Sequence, residues 1–202
     1  MSTLINLVFI STGVFVFSFI LWKKLKEDYT NESIFSLGWI LLLSGAVGYW
    51  AGGFLTPLRF WISLLFALIL GLITAKKIDF KLFETADAVT PAWMVFLFFS
   101  SLSQLPSSPS SISTIVLALA ITVLSLLAYL FFLKKYRSFS WYPSGKVGFP
   151  GLASLGMYFA FRSIAMYLKF MLPFFGKPGL GIFEIADIGG SLAFWLALWI
   201  IL

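Results

Sequence analysis

The chain has 202 residues, of which 60% are hydrophobic and only 11% charged, and its mean hydropathy of +1.00 excludes an ordinary soluble domain. A net charge of +6 would suit nucleic acid in a soluble protein, but here the lysines sit in short clusters between apolar runs, where they set membrane orientation, so no nucleic-acid partner is expected. With no cysteine and no histidine, disulfides, thiolate nucleophiles and His-based triads are excluded and no metal or cofactor is expected, which leaves any chemistry to Asp, Glu, Tyr, Ser, Thr, Lys or Arg.

The first apolar run, Leu4 to Trp22, is followed by KKLK and preceded by no charged side chain, which predicts an uncleaved helix with its N-terminus outside. The second, Ile34 to Leu55, is uncharged and holds Gly45, Gly48 and Gly52; the spacing of the last two predicts another helix packed closely on it. After Thr56 and Pro57 a third run extends from Phe60 to Ala75 and ends in KKIDFK. The fourth begins near Phe83 with FETADAVTPAW and reaches Leu105. Its acids, Glu84 and Asp87, fall in the first turns, where the helix dipole favours negative charge, and Pro91 predicts a kink. The polar turn QLPSSPSS leads to a fifth run, Ile112 to Leu133, which closes on KKYR.

The sixth run, Gly148 to Phe170, reads GFPGLASLGMYFAFRSIAMYLKF. It carries Arg162 inside the apolar stretch, with Tyr158 one turn below and Lys169 two turns above, all on one helical face. After a turn rich in proline and glycine, a seventh helix has to begin near Ile182, because Ile188 to Leu202 alone is only 15 residues. That start places Glu184 and Asp187 in its first turns, and FEIADI there echoes FETADA as two helix starts with acidic first turns do.

The loops after the first, third and fifth runs hold Lys23, Lys24, Lys26, Lys76, Lys77, Lys81, Lys134, Lys135, Arg137 and Lys146, which is 10 of the 14 basic residues. This bias predicts an all-α, polytopic integral membrane protein, one domain over 1–202, with seven transmembrane helices, the N-terminus outside and the C-terminus inside. An arginine at membrane depth costs roughly 2.5 to 3.5 kcal/mol on insertion scales, so it is kept where it meets an anion, a carboxylate or water inside a bundle. Arg162 is therefore the strongest pointer to function. Its partner is either an anionic ligand or a carboxylate of the next helix, Asp187 at similar depth with Glu184 nearer the surface.

The order of these residues resembles that of the bacterial prolipoprotein diacylglyceryl transferases. In that family a run like F-x-x-x-D-x-x-A-P opens one helix, as FETADAVTP does here from Phe83 to Pro91; a run like Y-G-x-x-R lies in the penultimate helix, and Tyr158 and Arg162 keep that spacing. The family loop P-R-H-P-S-Q is matched in outline by Pro106-Ser-Ser-Pro109-Ser-Ser, and the likeness covers Asn31 to Lys169. It implies a seven-helix protein of the bacterial cytoplasmic (inner) membrane that moves the diacylglyceryl group of phosphatidylglycerol onto a lipobox cysteine of a membrane substrate. It further implies that Arg162, Tyr158 and Lys169 hold the phospholipid headgroup. The chain departs from the family at Ser101, where G-R-x-G-N-F has its arginine, at Gln104, where it has asparagine, and at Trp61, near where H-G-G falls. Ser113 and Thr114 stand where a tyrosine and a glutamate follow P-S-Q. No catalytic residue is assigned, and three expectations stand: a divergent transferase-like protein that binds phosphatidylglycerol, a non-catalytic membrane scaffold or accessory subunit that kept the fold, and a small transporter lined by Ser100, Ser101, Ser103 and Gln104.

Overall fold

The first six apolar runs of the sequence each form one helix; the expected start of the seventh, near Ile182, lies outside the described residues. The computed structural model describes residues 2–54, 59–105, 112–135, 148–171, 188–193 and 195–196. The helices are α1 (Ser2–Leu25), α2 (Asn31–Ala51), α3 (Arg59–Lys77), α4 (Leu82–Ser103), α5 (Ile112–Lys135) and α6 (Phe149–Met171), and residues 188–193 are also helical. There is no strand among the described residues. Five helices, α1 to α5, are long and apolar enough to cross a membrane; α6, as long at 23 residues, carries Arg162. Large apolar side chains such as Leu4, Phe15, Trp50 and Leu127 point outward, the inverse of a soluble bundle. Of the sequence-predicted site residues, Glu184 and Asp187 lie outside the described residues, as does the Lys169 side chain on α6.

Chain reversals at one end of the bundle are tied by polar contacts. Thr30 caps α2 by accepting from the Ser33 N–H, and the Trp22 indole N–H donates to Asn31 Oδ1 at 2.9 Å. The Tyr29 ring lies tilted against Phe80, with centroids 4.1 Å apart, and its hydroxyl accepts from the Lys81 N–H. The lysines that end α1, α3 and α5 gather at this same end, where Lys24 Nζ lies 5.5 Å over the Tyr129 ring. It is called the basic end below.

Among lipid tails a buried leucine gains little by leaving one apolar surface for another, so close approach and interhelical hydrogen bonds carry the packing. The glycines of α2 meet that need. A methyl group on Gly48 would stand 2.8 Å from Ser63 Cα and 2.9 Å from the Ile62 carbonyl, so α3 is the helix whose backbone approaches. Ser63 then donates to the Gly45 carbonyl at 2.7 Å, which welds α2 to α3. At Gly13, α1 crosses α4 against Phe99. Phe17, Leu21, Ile34, Leu37, Ala88 and Ala92 fill the core toward the basic end; Leu64, Met94, Tyr158 and Phe159 form a second cluster toward the other.

Pro91 sits inside α4, where its missing N–H leaves the Asp87 carbonyl without its helical donor. The Tyr129 hydroxyl of α5 donates to that carbonyl at 3.1 Å. The Asp87 side chain corrects the sequence expectation that it serves the dipole of its own helix. It reaches across to the start of α6 instead, where Oδ2 accepts from the Gly148 N–H at 2.8 Å and Oδ1 from the Gly151 N–H. Both acceptors cap α6, whose first N–H groups have no partner within the helix. Gly148 has φ +103°, and a methyl on Gly151 would stand 2.6 Å from the Ala86 carbonyl, so only glycine allows the approach at either position.

A cationic cavity as the candidate functional site

At the end of the bundle opposite the lysines the helices do not close on one another. A cavity of about 580 Å³ is walled by side chains from all six helices. That falls inside the roughly 300–1,000 Å³ typical of small-molecule sites. Tyr158 and Arg162 are four residues apart on α6, hence on one face, and both line it. The Arg162 guanidinium is directed into the bundle, with Cζ 3.9 Å from the centroid of the Phe60 ring of α3. Phe60 in turn packs edge-on against Trp61 and Phe159, and Trp61 stacks on Phe159 at 5.8 Å. A cation over a ring gains about 0.5 to 2 kcal/mol, so this aromatic floor favours the charge where it lies.

Hydroxyl groups give the other walls a defined polarity. Ser101 donates its proton to the Leu97 carbonyl at 2.9 Å, Thr122 to Leu119 at 2.8 Å, and Ser63 to Gly45. A hydroxyl has one proton, so these three oxygens offer a ligand acceptors only, while a guanidinium offers donors only. A ligand matched to both carries an anion and free hydroxyls together. The described residues lining the cavity include no carboxylate.

The sequence placed Arg162 and Tyr158 on one inward face, and the structure brings them to one cavity wall with Ser100, Ser101, Ser103 and Gln104. Those four are the lining expected of a small transporter; Ser103 and Gln104 end α4, and all four line the cavity. Sequence reasoning missed Tyr49, Phe60, Ser63 and Thr122. Ser63 and Thr122 left a trace, as hydroxyls inside apolar runs; Tyr49 and Phe60 left none among so many aromatics. No family model, curated protein or solved structure matches the chain.

Proposed function

We propose that this chain is a seven-helix protein of the bacterial cytoplasmic membrane, N-terminus outside, that binds the headgroup of an anionic phospholipid, phosphatidylglycerol, in the cavity at Arg162. The observation that carries the proposal is a headgroup-sized space among apolar helices with a guanidinium on one wall and acceptor oxygens on the others. Arg162 donates two parallel hydrogen bonds to phosphate oxygens and the Tyr158 hydroxyl donates a third. Ser63, Ser101 and Thr122 accept from the glycerol hydroxyls, which distinguishes this headgroup from bare phosphate. Lys169 adds positive charge toward the outer headgroups; the competing reading, in which Arg162 only pairs with Asp187 or Glu184 of the next helix, predicts no lipid retained at Arg162. The lysines gathered at one end support that end as the inner one. Arg162 is then on the order of 21 Å along α6 from Gly148, in the outer half of the hydrocarbon.

Native mass spectrometry of the protein released from nanodiscs of equal phosphatidylglycerol and phosphatidylethanolamine tests the proposal. The wild type retains phosphatidylglycerol, Tyr158→Phe retains less and Arg162→Gln none; equal retention by Arg162→Gln and wild type overturns it. Whether the bound lipid reacts is a separate matter. The resemblance to the diacylglyceryl transferases favours transfer, and serine at 101 in place of arginine favours a scaffold that kept the lipid and lost the chemistry. A thioether product on a lipobox peptide, absent with Arg162→Ala, decides for the enzyme.

A further inference from the structure

A second guanidinium stands near the cavity. Arg59 opens α3, and Ser63, four residues on and so on the same face one turn deeper, lines the cavity wall. Arg59 is thus at the rim, at the end away from the lysines. Its position is fixed: a methyl on Gly52 would touch its Cα at 3.0 Å, Nη2 donates to the Gly53 carbonyl at 2.9 Å, and Cζ lies 5.6 Å from the centroid of the Tyr49 ring, itself part of the lining. The buried Nε has no hydrogen-bond partner among the described residues, and no carboxylate there pairs with Arg59. The next residue, Phe60, carries Arg162 on its ring. Two guanidinium groups therefore stand over two rings of the same lining, one at the rim and one deeper.

We infer that Arg59 is a second anion contact, which captures the phosphate of the incoming ligand at the rim before Arg162 takes it. The inference rests on the proposed headgroup site and adds a residue and an order of events to it. The division of labour follows from solvation. A rim charge is wet on one side and acts at a distance, so it raises the rate of encounter; a charge enclosed by rings is felt only on contact and sets the rate of escape.

Trp93 in the cavity lining supplies the signal for a test. The full chain in phosphatidylcholine nanodiscs is mixed in a stopped-flow instrument with short-chain phosphatidylglycerol, and tryptophan fluorescence is followed at two salt concentrations. Short-chain phosphatidylcholine, glycerol phosphate and inorganic phosphate serve as parallel arms, which separate a lipid from a free phosphate source. Arg59→Gln is expected to lower the association rate about tenfold at low salt, to flatten its salt dependence and to leave the dissociation rate within about twofold. Arg59→Lys restores the association rate, which a merely structural role would not require. Arg162→Gln raises the dissociation rate instead. An unchanged association rate in a folded Arg59→Gln protein overturns the rim contact while leaving the headgroup site intact. If the wild type binds no anionic ligand, or Arg162→Gln binds as the wild type does, the headgroup site fails and the rim contact with it.

Discussion

The two halves of α6 are held in opposite ways. At its start, polar atoms of three helices are consumed by one another: the Asp87 carboxylate by two α6 N–H groups, and the Asp87 carbonyl by Tyr129. Backbone approaches backbone there, so closely that Gly148 and Gly151 leave no room for a methyl group against Phe83 and Ala86. Around Arg162 polar side chains from α3, α4, α5 and α6 border an open volume instead. Both regions place polar groups among apolar helices, so polarity at depth does not by itself mark function. What separates them is whether the neighbouring atoms fill the space.

That contrast can be broken or sharpened by substitution. Asp87→Ala should have the largest effect on stability, because it leaves the N–H groups of Gly148 and Gly151 buried without an acceptor. A loss of about 3 kcal/mol, read as a lowered unfolding midpoint in detergent, is expected, with lipid retained per folded molecule unchanged. Retention falling in proportion to stability would erase the distinction between the two regions. Gly151→Ala comes next, at about 2 kcal/mol, since its methyl meets the Ala86 carbonyl rather than a side chain able to turn away. Phe60→Leu keeps apolar bulk but removes the ring beneath Arg162; about 1 kcal/mol of stability and a several-fold fall in phosphatidylglycerol retention should go together.

Tyr129→Phe should cost about 1 kcal/mol in the wild type and almost nothing alongside Pro91→Ala, whose restored N–H serves the Asp87 carbonyl. Equal costs in both backgrounds would show that the tyrosine does not answer the proline. The smallest effect is expected at Lys81, which lies outside the apolar span in an exposed pair with Glu84 at 3.1 Å. The hydrogen bond and charge of Glu84 raise the Lys81 pKa above its ordinary value. A raised lysine pKa contributes stability that is complete below the ordinary lysine range, roughly 10.4, and is lost as pH climbs through the higher folded value. Lys81→Met should therefore leave the midpoint at neutral pH unchanged within error, as expected for a solvated pair.

The existence of the first six helices was legible in the sequence because an apolar run bounded by charge has few alternatives. The observed starts of α3, α5 and α6 fall within one residue of the expected ones. Arg162 and Tyr158 were legible for a related reason, since a guanidinium at depth is costly enough to stand out and fixes which face is inward. Asp87 was misassigned to its own helix because an acid in a first turn has a sufficient local explanation, and nothing in the local pattern reveals a partner 61 residues away. Phe60 and Tyr49 were illegible for the opposite reason. In a chain where aromatics are abundant, the one beneath a cation looks like every other.

The joint between α2 and α3 has a mechanical consequence. Serine to carbonyl at Gly45 and backbone to backbone at Gly48 make these two helices one stiff plate, whereas toward the cavity end the plate meets α6 through flat rings, Trp61 on Phe159 and Phe60 under Arg162. Side-chain rings can adjust by rotamer changes, whereas backbones in contact at Gly48 cannot part without breaking the joint. Any shift between the plate and α6 is therefore expected at the aromatic seam rather than at the α2–α3 joint, while the Asp87 hydrogen bonds tie α4 to the start of α6.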